Sequence, residues 1–195
     1  NYFATYQRPV LGDFLYADTN GDGNLNAADR VEIGHGNRPT FTYGANLGLT
    51  WKNFNFSVLL QGVGKYQVYY NNQAFRFVTV MGQSLIKDIT DNAWTPENPY
   101  NSKYPILRNN ANSKNNIDSD AFVHNAAYLR CKNIQLGYTL PKHVSQKLFT
   151  DALKVYTSID NLFTITNFPG LDPEVAATVG YPSTRRFSLG LNVSF

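Results

Sequence analysis

No stretch of this 195-residue chain approaches the ~18 consecutive apolar residues of a membrane-crossing helix, which excludes a helical membrane protein. The same test leaves a transmembrane β-barrel open. A crossing strand needs only about nine to eleven residues, and because its faces alternate in polarity a mean hydropathy of -0.34 conceals it. A single cysteine, Cys131, permits no internal disulfide, and no CxxC or Cys/His cluster points to zinc or redox chemistry, so it reads as an ordinary strand residue. Charge is also scarce: Asp, Glu, Lys and Arg make up 16% of the chain, and the net charge of +3 is scattered. No basic stripe interleaved with aromatics marks a nucleic-acid surface, so no nucleic-acid partner is expected.

Catalytic signatures are missing too. There is no GxSxG elbow and no phosphate loop, His35, His124 and His143 are isolated, and Cys131 has no base near it in sequence. Asp118 with Asp120, and Asp172 with Glu174, imitate acid/base pairs, but their loop settings read as solvated turns. We therefore expect no catalytic residue and no enzyme. The chain begins at Asn1 without methionine or leader segment and reads as a piece of a longer protein.

What is present is an aromatic-rich, period-two pattern, with 13 Tyr and 13 Phe. From Thr40, Phe41, Tyr43, Ala45, Leu47, Leu49 and Trp51 occupy one face, against Thr42, Gly44, Asn46, Gly48 and Thr50 on the other. Lys52-Asn53 forms a tight reversal, and Phe54, Phe56, Val58 and Leu60 resume the apolar row, making a hairpin. Ile134, Leu136, Tyr138 and Leu140 alternate with polar or small residues until Pro141 ends the strand. His143 to Phe149 suits one short helical turn. Leu153, Val155, Thr157 and Ile159 predict a further strand, and Phe187, Leu189, Leu191, Val193 and Phe195 the last.

A soluble β-sandwich would alternate as well. Here, however, the face opposite the apolar rows carries Gly, Ser, Thr and Asn and little of the Lys and Glu that coat soluble surfaces, as a barrel lumen would. Trp51, Phe54, Tyr138 and Phe195 sit at strand ends beside short turns, where an aromatic girdle meets lipid headgroups. Short reversals (52–53, 141–152) alternate with long ones (64–125, 167–183), the asymmetry of outer-membrane barrels. The fold expected is therefore all-β, an antiparallel transmembrane barrel fragment with long extracellular loops. The membrane-facing set comprises Phe41, Tyr43, Leu47, Trp51, Phe54, Phe56, Phe187, Leu189, Leu191 and Phe195. About five strands cannot close a barrel, so more are expected from elsewhere in the intact protein.

The sharpest local motif runs from Asp18 to Asp29. Asp18, Asn20, Asp22, Asn26 and Asp29 place oxygen side chains at positions 1, 3, 5, 9 and 12 of an EF-hand-like loop, Gly23 takes the sharp-turn position, and Asn24 offers a carbonyl. A structural Ca2+ is expected there. The loop ends in Asp rather than Glu, as dockerin-type loops do, and the competing reading is a merely polar turn. In the long loop, Tyr66, Tyr69, Tyr70, Phe75, Arg76 and Trp94 stand among amide side chains, a mixture suited to sugars or peptide backbones, or alternatively to loop packing and partner contact.

At this point the chain resembles the C-terminal region of the SusC/RagA-like TonB-linked outer-membrane transporters of Bacteroidetes. The stretches that carry the resemblance are "YADTNGDGNLNAADRVEIG", "PTFTYGANLGLTWKNFNFSVLLQG", "WTPENP", "YLRCKNIQLGYTLP", "LKVYTSIDNLFTIT", "DPEV" and "RRFSLGLNVSF". The resemblance implies a plugged barrel of about 22 strands. It further implies oligosaccharide or peptide substrates, a SusD-like lipoprotein lid, energy coupling to the TonB complex through N-terminal segments, and pairing of transporters into a dimer. In this layout residues 1–39 form an extracellular loop carrying the calcium motif. Residues 40–195 supply strands at about 40–51, 54–63, 127–140, 153–164 and 185–195, with an extracellular loop over 64–125, and the C-terminus lies in the periplasm. The rival reading is a secreted or surface calcium-binding β-module that binds carbohydrate or a protein partner.

Overall fold

Alternation of apolar with small or polar residues runs through most of the longest elements of the computed structural model, which describes residues 9–69, 85–109, 114–175 and 181–195. Strands β1 (Phe41–Trp51) and β2 (Phe54–Gly64) form a hairpin around Lys52-Asn53, with Lys52 at φ 52° in the left-handed region that a two-residue reversal demands. Strand β5 (Tyr128–Thr139) pairs with β2, β6 (Ala152–Asp160) with β5, and β8 (Arg186–Ser194) with β6. Every pairing is antiparallel, giving the order β1-β2-β5-β6-β8. Among the described residues this sheet stays open, with free edges at β1 and β8. Between β2 and β5 lie the short strands β3 (Gln67–Tyr69) and β4 (Val123–Asn125).

Two departures from the sequence pattern matter. The strand expected over 153–164 stops at Asp160, then resumes as β7 (Thr164–Thr166), which pairs with the beginning of β5. Asn161, at φ 52°, makes the break. Opposite it, the β2–β5 register slips: Leu59 faces Asn133 but Leu60 faces Cys131, so Lys132 has no partner on β2. This bulge shifts parity, and Tyr128 and Arg130 join the face of Asn133 and Gln135. The segment 142–149 is a single turn of helix, α2 (Lys142–Ser145), followed by a 3-10 turn over Gln146–Leu148.

The chain divides into two compact units, residues 1–34 with 69–123, and 35–68 with 124–195. The described residues of the first long loop from 69 to 123 thus group with the N-terminal stretch. Within that unit, helix α1 (Lys87–Asn92; the second helix, α2, lies in the other unit) contributes Ile89 to a core with Phe122, against which Phe14, Leu85, Tyr104 and Leu107 pack. Asp13 accepts from Arg108 at 2.7 Å and from Asn115 at 3.0 Å, tying residues about 100 apart in sequence.

Candidate functional site

The six-stranded sheet has two chemically different faces, and the register along β1-β2-β5-β6-β8 assigns the paired residues to one or the other. Across the strands run the rows Trp51–Phe54–Tyr138–Val155–Leu191, Leu49–Phe56–Leu136–Thr157–Leu189 and Leu47–Val58–Ile134–Ile159–Phe187. Phe41, Tyr43 and Phe195 extend the same face by strand parity. The other face reads Thr50–Asn55–Gly137–Tyr156–Gly190, Gly48–Ser57–Gln135–Ser158–Ser188 and Asn46–Leu59–Asn133–Asp160–Arg186. The apolar rows are bare rather than packed: Leu189 is 79% exposed, Leu49 64% and Trp51 61%. All ten residues expected to face lipid therefore lie on one face, and all ten are exposed.

On the polar face the structure gathers a charge cluster that sequence reasoning missed. Arg130, 3% exposed, donates from Nη2 to Asp172 at 2.6 Å, from Nη1 to Glu174 at 2.5 Å and Ser183 at 2.7 Å, and from Nε to Thr164 at 2.8 Å. Lys132 and the Tyr128 hydroxyl complete the shell of Glu174 at 2.7 and 2.8 Å. Asp172 and Glu174 are accordingly not the solvated turn residues expected. Asp172 is 4% exposed, and both carboxylates are committed to the strand cations. Burial pushes the Asp172 carboxyl up, but the guanidinium and the backbone N–H groups of Ser183 and Glu174 outweigh it and hold the group down at about 2. Two cations and two carboxylates cancel, which makes a buried cluster tolerable. The cluster adjoins a cavity of about 310 Å³ lined by Phe163, Leu171, Pro182 and Arg185.

The 18–29 loop folds as a chain of side-chain-closed turns. Asp18 accepts from Gly21 and Gly23 N–H at 2.7 and 2.8 Å, Asn20 from Asp22 at 2.9 Å, and Asp22 from Asn24 at 2.7 Å. Asp29 accepts from Thr19 and Asn26 at 3.0 and 2.8 Å, while Asn26 caps the short 3-10 turn that ends the loop. Gly23 sits at φ 76°, which explains glycine at the sharp-turn position. The Asn26 backbone N–H, together with that of Thr19, holds Asp29 below the ordinary carboxylate range despite some burial. The donor set is hard oxygen throughout, as calcium requires. Among the described residues, however, no three His, Cys, Asp or Glu side chains converge as a metal site. Beside the loop lies a cavity of about 510 Å³, lined by Leu15, Leu25, Val31, Ile33 and Ile117 and bordered by Asp29, Asp118 and Tyr69.

The loop aromatics are dispersed. Trp94 packs on Gly12, where φ is 88° and a Cβ would lie 2.5 Å from the indole. Tyr69 donates to Asp118 at 2.5 Å and meets Phe122 edge-on. The backbone carbonyl of Tyr66 accepts from Ala126 N–H at 2.8 Å, in the other unit from Tyr69 and Trp94. Tyr70, Phe75 and Arg76 lie outside the described residues.

No family model matches the chain. TonB-dependent receptor P3 of Formosa agariphila is 33% identical over 203 residues, covering 94% of this chain and 19% of the receptor. TonB-dependent receptor SusC of Bacteroides thetaiotaomicron is 29% identical over 208 residues, covering all of this chain and 19% of SusC. The chain thus spans about a fifth of the length of the curated relatives it matches. Among solved structures, the RagAB peptide transporter matches with a TM-score of 0.72 at 26% identity, over 89% of this chain and 19% of that one. The open-open state of the RagAB peptide importer matches at 0.69. By these likenesses, which run over nearly its whole length, the chain belongs to the SusC/RagA-like TonB-dependent receptors.

Proposed function

We propose that this chain forms part of the barrel wall of an outer-membrane importer that takes up oligosaccharides or peptides with a SusD-like surface lipoprotein as its lid and the TonB complex as its energy source. The observation that carries the reading is the bare apolar face, continuous across five strands. In water such a surface, far larger than the patches soluble monomers tolerate, would drive association; in hydrocarbon it is the favoured arrangement. The polar face then lines the lumen. The likeness to TonB-dependent receptors and to RagAB supports import as the activity. They leave glycan and peptide open, although RagAB is a peptide transporter.

The 18–29 loop fits Ca2+ by its donor chemistry. In this reading Asp18, Asn20, Asp22, the Asn24 carbonyl, Asn26 and Asp29 would hold the ion, which offsets carboxylate repulsion and braces the loop on the extracellular side.

The test is a chromosomal deletion of the gene encoding the full protein, with uptake of labelled oligosaccharides and peptides measured alongside co-purification of a lipoprotein from outer membranes. Loss of uptake of one class, with the lipoprotein retained by the wild type, supports the reading. Recovery of the full protein as a soluble species without detergent would overturn it.

A further inference from the structure

The turn between β5 and β6 presents its largest apolar side chains to the outside. Phe149 sits in the left-handed region at φ 57°, which a bulky side chain rarely adopts, and it is 91% exposed, with Leu148 beside it also exposed. The turn beneath is well determined. Phe149 N–H donates to Gln146 at 3.1 Å, Thr150 N–H to Ser145 at 3.2 Å, and the Thr150 hydroxyl to the same Ser145 carbonyl at 3.1 Å. Phe149 is therefore held outward by its backbone, and nothing among the described residues covers it. A glycine would make the same turn with less strain, so the phenyl group itself needs a reason.

The charges around it are one-sided. Lys142, His143 and Lys147 are exposed, and none forms an ion pair among the described residues; Asp151 is the one carboxylate within the turn. The same end of the sheet carries the bare Trp51 row, with the Lys52 Nζ 5.0 Å from the Trp51 ring. The turn thus continues an aromatic rim whose lysines, Lys52, Lys142 and Lys147, form no ion pair among the described residues, whereas Arg130, Lys132 and Arg186, toward the other end, all face carboxylates.

We propose that the 142–150 turn is a membrane-surface anchor. Leu148 and Phe149 enter the boundary between headgroups and acyl chains, and Lys142 and Lys147 bind the phosphates of anionic phospholipid in the leaflet at this end of the sheet. The inference rests on the sheet being barrel wall. Apolar side chains flanked by unpaired lysines suit that boundary, where one group needs hydrocarbon and the other an anion.

The experiment uses the full-length protein in nanodiscs of phosphatidylcholine with or without phosphatidylglycerol. A spin label is placed at Phe149→Cys and, in a separate sample, at Leu189→Cys; Cys131, buried, is left untouched. The expected result is a 149 label relaxed by oxygen more than by a water-soluble nickel chelate, at headgroup depth. The preference for spin-labelled phosphatidylglycerol should be lost in Lys142→Gln/Lys147→Gln. A label reached mainly by nickel means a turn in open water, and one reached by neither reagent means a protein partner covers it; either overturns the anchor. So does an unchanged lipid preference in the double variant. The 189 label tests the wall separately, since nickel accessibility there would sink the barrel reading itself.

Discussion

The two units use the same kinds of apolar side chain in opposite ways. In the loop unit Ile89 and Phe122 are buried against Phe14, Leu85 and Leu107. In the strand unit Leu47, Leu49, Phe187, Leu189 and Leu191 stand exposed in ordered rows. A core in water gains by removing apolar area from solvent, whereas a barrel wall gains by presenting it to lipid. The loop unit therefore carries its own interior, whereas the strand unit leaves its apolar rows uncovered among the described residues. The strand unit also buries Val63, Val68, Cys131 and Phe168, and with them the charge cluster around Arg130.

That contrast can be broken from either side. Replacing Arg130 with Met strands Asp172 and Glu174 without their guanidinium, at an expected cost of about 3–5 kcal/mol. The readout is loss of heat-resistant folding of the full protein on gels. Phe122→Ala should cost about 3–5 kcal/mol but act on the loop unit. Hydrogen exchange should accelerate over 85–123 while the strands stay protected, and equal acceleration in both units would show that they are not separately stabilised.

Charge on the bare face sharpens the comparison. Leu189→Arg should cost about 2–4 kcal/mol in barrel assembly if that row crosses the bilayer middle. Ser188→Arg, one residue away on the polar face, should assemble normally. Equal defects would remove the distinction between the faces.

Acid should act on the Asp172 contacts late. A carboxyl held at about 2 when folded, against roughly 3.9 when unfolded, contributes stability that is fully present above the unfolded value and lost as pH falls through the folded one. Protection of the Ser183 amide, which donates to Asp172, should thus persist to about pH 4 and fade toward pH 2. The smallest effect expected is on the 18–29 loop: Asp18→Ala with Asp22→Ala should lower calcium affinity in calorimetric titration and loosen only that loop. A titration identical to wild type would remove calcium from the account.

Four strands were readable nearly to the residue, at 41–51, 54–64, 128–139 and 186–194, because one-sided burial imposes a period of two on the sequence itself. The break at Asn161 and the bulge at Lys132 were not, since they exist only as a mismatch between two strands. Leu129 to Lys132 alternate, and the two successive polar residues Lys132-Asn133 were the available sign of the bulge. Asp172 and Glu174 were misread for a related reason. Whether a carboxylate is solvated depends on a partner 42 residues away on strand β5, and nothing near Asp172 announces Arg130. Trp94 offered an aromatic face to a ligand by composition, yet the fold lays it on Gly12.

The sequence by itself determined the strands, their two faces and the oxygen spacing of the 18–29 loop, because each is a local periodicity. Only the tertiary structure decided which long-range charges meet, that the long loop joins the N-terminal stretch in one unit, and that Phe149 stands uncovered at a rim of free lysines. Those outcomes depend on distances between segments remote in the chain, and no local pattern records them.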